Sequence, residues 1–251
     1  MEQISDWRKS KNKISEHKIE IGSLNEQIGL LKEKIGEHKE EIAICENETR
    51  ETGYYWVEQW VKNNLPDYHE SFLDSVSQGQ YESKLWLHKE LKKINLNQFG
   101  PLHIDIVGSW FGYPLIESLS NIFDIKQIDL YDIDENCHKV VAQYINHFDP
   151  DFRIVQFDNF FDRKDVRRRH LIINTSSEHM PDIAEMKNFY KDYPERPLIV
   201  LQSNNFETLD EHVNCVQSPL ELIDKNQLTQ IHYKGKHSLP LYDRYMVIGR
   251  W

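Results

Sequence analysis

Cysteine is scarce: the 251 residues hold three, Cys45, Cys137 and Cys215, odd in number and widely spaced. That usage supports neither a disulfide framework nor a structural zinc site, and it suits a reducing cytoplasm, which is the expected location. Positive charge is not in excess either. The 30 Lys and Arg face 41 Asp and Glu, a net charge of −11, which argues against coating nucleic acid through bulk electrostatics. No apolar run approaches the roughly 20 residues of a membrane-spanning helix, and nothing reads as a signal peptide, so a soluble chain with no membrane partner is expected. What the sequence does hold is 39% hydrophobic residues, with 11 Phe, 12 Tyr and 6 Trp, enough for a sizeable core. The length suits one domain plus an appendage.

The appendage is residues 1–50. A heptad places Ile14, Ile21, Ile28, Ile35 and Ile42 at a, and His17, Leu24, Leu31, His38 and Cys45 at d, which predicts a coiled-coil helix. Gly22, Gly29 and Gly36 recur at b, each costing about 1 kcal/mol in a helix interior, and nothing in the sequence explains that repeat. An in-register parallel homodimer would oppose Lys13 to Lys18, Lys34 to Lys39 and Glu41 to Glu46. The partner of the stripe, whether another copy or another protein, therefore stays open. Residues 51–100 are expected to be a helical connector packing on the body. In it, Tyr81, Leu85, Trp86 and Leu91 are spaced for one helical face over Gln80–Leu91.

The body, residues 101–251, is organised around Leu102–Asp134. An apolar run from His103 to Val107 meets a turn bracketed by Gly108 and Gly112, an amphipathic segment follows, and a second apolar run, Ile128 to Tyr131, ends in Asp132. Strand, glycine turn, helix, strand and a terminal carboxylate form a pattern that brings backbone close to a ligand and offers an acceptor for ribose hydroxyls. Further on, the sequence predicts a helix Glu135–Asn146, a strand Arg153–Phe157 ended by Asp158, a basic run Arg163–His170 read as a solvated segment, and a strand Leu171–Ile173 with Asn174 at its tip. A helix through Tyr190, a strand Leu198–Leu201, a helical stretch Pro219–Asp224 and two closing runs, Gln230–Tyr233 and Tyr242–Gly249, complete it. Alternation implies a parallel sheet covered on both faces, and the closing pair, without room for a crossover, implies an antiparallel last strand.

From about Gln80 to Trp251 the chain resembles class I S-adenosylmethionine-dependent methyltransferases. ESKLWL at Glu82–Leu87, NTSSEHM at Asn174–Met180, LQSNN at Leu201–Asn205 and EHVNC at Glu211–Cys215 are similar to methyltransferase-like viral proteins of tailed phages. The resemblance implies an α/β, Rossmann-like seven-stranded sheet with an antiparallel last strand, behind the N-terminal coiled-coil helix. It implies S-adenosylmethionine as cofactor, held by Gly108, Trp110, Gly112, Asp132 and Asp158, with Asp132 on the ribose and Asp158 on the adenine amino group. Two departures stand out: Trp110 replaces the middle glycine of the turn, and Asp105 lies one residue farther from Gly108 than the family's acid.

Loops after the fourth and fifth strands supply the catalytic candidates Asn174, Glu178 and His179, with His179 as base, oriented by Glu178 or a backbone carbonyl. Asn174 is followed by Thr175, Ser176 and Ser177, without the Pro-Pro-aromatic platform of amino-group methylases of nucleic-acid bases. Glu178, His179, Glu211, His212 and Cys215 hold ligand-type side chains, but they belong to two separate loops and no metal is assigned. The expected function is methyl transfer to an undetermined small-molecule, protein or nucleic-acid acceptor. Transfer of an aminocarboxypropyl group is compatible with the altered turn. The alternative is a non-catalytic structural or assembly protein, in the host cytoplasm if phage-encoded, that works as an oligomer through its coiled coil.

Overall fold

The computed structural model describes residues 13, 17–32, 34–36, 38, 53–145, 151–156, 160, 168–191, 193 and 195–251. The chain divides into two compact units, Met1–Trp56 and Val57–Trp251. In the first, residues 17–32 form helix α1, along which Ile21, Leu24, Ile28 and Leu31 are all exposed. The heptad positions Ile14, Ile42 and Cys45 lie outside the described residues. No helix among the described residues is long and apolar enough to cross a membrane.

In the second unit a seven-stranded sheet runs in the order β3-β2-β1-β4-β5-β7-β6. The strands are β1 (Leu102–Val107), β2 (Ile125–Asp132), β3 (Asp151–Gln156), β4 (Leu171–Asn174), β5 (Leu198–Asn204), β6 (Gln230–Ser238) and β7 (Asp243–Arg250). Pairings from β3 through β5 are parallel; β6 and β7 are antiparallel, as expected of strands joined by a short turn, and β7 is also antiparallel to β5. Helix α2 (Gly53–Asn64) starts before the division at Val57, and the helices wholly within this unit are α3 (His69–Ser75), α4 (Gln78–Leu91), α5 (Leu115–Ser120), α6 (Glu135–Val141) and α7 (Pro219–Lys225). The central strands are buried along nearly their whole length, so β4 and β5 read as continuous apolar runs rather than alternating ones. Ile104, Ile106, Ile173 and Val200 belong to one apolar cluster, and Val107, Ile172, Ile199 and Leu201 to another, as alternation across a sheet requires.

Several sequence expectations are corrected. The helix Glu135–Asn146 ends at Val141, and Asn146 lies outside the described residues, as does Phe157 at the end of β3. The helix through Tyr190 is a 3₁₀ segment, Ile183–Asn188, whose buried Ile183 and Met186 stand three apart, the repeat of that tighter helix. Helix α4 buries only part of the face the spacing indicated, Leu91 fully and Trp86 partly against the core. Tyr81 and Leu85 are exposed, while Ser83, Lys84, Leu87, Glu90 and Leu91 are buried. The reason is a polar seam. Ser83 Oγ donates to Gln202 Oε1 on β5 (2.8 Å), Gln202 Nε2 donates back to the Ser83 carbonyl (3.2 Å), and Arg244 Nη1 on β7 donates to Ser83 Oγ (3.4 Å).

Candidate functional site

The β1–α5 turn contains Gly108, Trp110 and Gly112 at φ +65°, +50° and +71°. A Cβ on Gly108 would stand 2.5 Å from Met180 Cε, and one on Gly112 would stand 2.7 Å from Ile116 Cδ1. Both positions therefore need glycine for conformation, and a side chain there would also have to push aside the end of Met180 or Ile116. Trp110 adopts the left-handed backbone without being glycine, and its ring packs on Phe111 with centroids 5.2 Å apart. The twist aims its backbone N–H at the tip of β2, where it donates to Asp132 Oδ2 at 2.6 Å, while the Asp134 N–H donates to Oδ1 at 3.0 Å. Each Asp132 oxygen thus keeps acceptor capacity beyond one backbone bond.

A cavity of about 770 Å³ opens at the carboxyl ends of the strands, as in other open α/β sheets. Gly108, Trp110, Gly112 and Asp132 line it, together with Glu178 and His179. Asn174 does not line it. Its side chain is spent on the loop, accepting from the Ser176 N–H (2.9 Å) and donating to Met180 Sδ (3.0 Å). Asp158 lies outside the described residues.

Three further groups enter the cavity. Lys84 comes from α4, Arg244 from the start of β7, and His212 from the loop after β5. Burial, then the neighbouring Arg244 guanidinium, lower the Lys84 ammonium to about 7 against an opposing pull from Glu178. Arg244 is buried, and its Nε has no partner among the described residues. Glu178 is 2% exposed. Its Oε1 accepts from Asn204 Nδ2 at 2.6 Å, whereas Oε2 has no partner among the described residues. His179 Nδ1 faces the Glu211 carbonyl at 3.2 Å, so a backbone carbonyl rather than Glu178 orients that ring.

The loops after β4 and β5, separate in the sequence, are stitched together. The Asn214 N–H donates to the Glu178 carbonyl (2.8 Å), and Asn214 Nδ2 donates to the Met180 carbonyl (3.0 Å) and Asp182 Oδ1 (2.9 Å). The rings of His179 and His212 meet edge to face, 4.6 Å between centroids.

Asp105 takes no part in the cavity. It stands beside Asp129 across β1 and β2, and Arg169 bridges the two, with Nε to Asp105 Oδ1 and Nη2 to Asp129 Oδ2, both at 2.7 Å. Arg153 on β3 pairs with Asp129 as well. Part of the basic run is therefore interior: Arg169 is 1% exposed, Arg168 is exposed, and residues 163–167 lie outside the described residues.

No family model and no curated protein matches the sequence. Among solved structures, the chain is similar to the N-methyltransferase NodS from Bradyrhizobium japonicum WM9, over 67% of this chain and 96% of that one, at 13% identity and a TM-score of 0.50. The same enzyme in complex with S-adenosyl-l-homocysteine matches over 78% of this chain and 97% of that one, at 12% identity and a TM-score of 0.53. At such identity the likeness is one of fold, and the fold is the Rossmann-like one of class I methyltransferases.

Proposed function

We propose that the protein is an S-adenosylmethionine-dependent methyltransferase. The observation that carries the reading is the clamp at the tip of β2, where Asp132 is oriented by the N–H groups of Trp110 and Asp134 on the wall of a cavity of about 770 Å³. The residues present suit the cofactor. Asp132 retains acceptor capacity for ribose hydroxyls, Gly108 and Gly112 let the backbone approach closely, and Ile133, 75% exposed at the cavity wall, offers an apolar shelf for a purine. When bound, the cofactor supplies an electrophilic methyl group on a sulfonium.

The chain's own work is then to align the acceptor and take its proton where the nucleophile carries one. Lys84 suits the second task, since its lowered proton affinity leaves much of it neutral near pH 7. Calorimetric titration with S-adenosylmethionine and S-adenosylhomocysteine tests the reading. Saturable 1:1 binding of both is expected, and a folded protein that binds neither at about millimolar concentration overturns it.

A further inference from the structure

We propose that Glu178, His179 and His212 form a binding site for one divalent transition cation of the zinc and manganese class, at the rim of the cavity. One donor atom from each lies within 4.8 Å of those of the other two. The two imidazoles are held in one tautomer. His179 Nδ1 faces the Glu211 carbonyl at 3.2 Å, and His212 Nδ1 faces the Phe206 carbonyl at 2.5 Å. A carbonyl only accepts, so each ring carries its proton on Nδ1 and presents a lone pair at Nε2, the arrangement that outer partners impose on metal-bound histidines.

Glu178 adds the third acceptor. Its Oε2 is buried with no hydrogen-bond partner among the described residues, and no described ion pair reaches the carboxylate. Lys84, which lines the same cavity, feels this charge but is already pressed towards its neutral form by burial. One ligand-type atom from each side chain thus lies within 4.8 Å of the others, beside a buried carboxylate oxygen that has no hydrogen-bond partner among the described residues, an arrangement that a cation would satisfy. The support is built: Asn204 holds Glu178 Oε1, and Asn214 ties the loop carrying His212 to the backbone of Glu178 and Met180.

Zinc bonds of about 2.0–2.2 Å place tetrahedral ligand atoms roughly 3.4 Å apart, so the three side chains close inward by about 1 Å on binding. One carboxylate and two imidazoles suit zinc or manganese over calcium or magnesium. Three protein ligands leave a position open towards the cavity. If the methyltransferase reading holds, an oxygen or nitrogen of the acceptor would occupy it; the cation site itself does not rest on that reading.

The test uses untagged full-length protein, stripped with a chelator, desalted and titrated calorimetrically with zinc chloride and with manganese chloride. Cobalt(II) absorption serves as a second readout of coordination. One cation per chain is expected, with micromolar affinity or better for zinc or manganese and with cobalt d–d bands. Glu178→Gln, His179→Ala and His212→Ala should each weaken binding at least tenfold, while His232→Ala, exposed on β6, should not. The proposal is overturned if the wild-type protein, folded by circular dichroism, takes up no cation below about 1 mM, or if His212→Ala binds as the wild type does. Titration of the same samples with S-adenosylmethionine keeps the two readings apart, because cofactor binding without metal binding refutes only the cation site.

Discussion

Two groups of buried charge lie in the same unit and differ in how completely they are satisfied. In the Asp105–Arg169–Asp129 group every charge is in contact with an opposite one, and Arg153 reinforces it from β3. In the cavity, Glu178 Oε2 and Arg244 Nε are without partners among the described residues, and burial presses Lys84 towards its neutral form. The first arrangement holds strands β1, β2 and β4 in register. The second spends stability, as expected of groups kept ready for a ligand.

The widest separation between the two groups should come from removing one member of each. Arg169→Met removes the guanidinium shared by the adjacent Asp105 and Asp129, leaving Arg153 beside Asp129, and should cost about 3–5 kcal/mol in urea denaturation. Glu178→Gln keeps an acceptor for Asn204 and removes a buried charge, so its midpoint should equal or exceed the wild type's. Equal losses in both variants would erase the distinction.

A pH series should separate the groups a second time. Lys84 is lowered from its ordinary 10.5 to about 7, so as pH falls from 10.5 the unfolded chain takes up the proton first, and stability is lost down to about pH 7. At about 1.36 kcal/mol per pKa unit that limb is on the order of 5 kcal/mol at most, and Lys84→Met should flatten it. His170, beside Arg169, is lowered from 6.5 to about 4 by burial first and by Arg168, His103 and Arg169 after it, and its Nδ1 accepts from the His103 N–H at 2.9 Å. Its limb therefore lies between pH 6.5 and 4, again with stability lost as pH falls, on the order of 3 kcal/mol, and His170→Gln should flatten that one alone.

The smallest effect belongs to the clamp. Asp132→Ala should weaken cofactor binding at least tenfold, about 1.4 kcal/mol, with the fold retained. Calorimetry on wild type and variant checks it, and unchanged affinity would remove Asp132 from the site.

Local spacing made the β1–turn–β2 unit readable, because Gly108, Gly112 and Asp132 lie within one βαβ stretch and each answers to a backbone requirement. The antiparallel last strand followed from the absence of a crossover between β6 and β7. Lys84 and Arg244 left no such trace. They reach the cavity from α4 and β7, and the polar seam Ser83–Gln202–Arg244 turns α4 so that Tyr81 and Leu85 face outward and Ser83 and Lys84 inward, against the hydrophobic periodicity. Arg169 was hidden for a related reason. A basic run reads as solvated until the two aspartates that neutralise one of its members are placed beside it, and they come from different strands.

Asp105 and Asp129 are directly abreast with one guanidinium shared between them, so altering any of the three charges changes the balance of the other two. The three residues are thus expected to change together. Among related sequences, loss of Arg169 should coincide with loss of both acids, so joint substitution at positions 105, 129 and 169 would mark lineages whose sheet is pinned by other means.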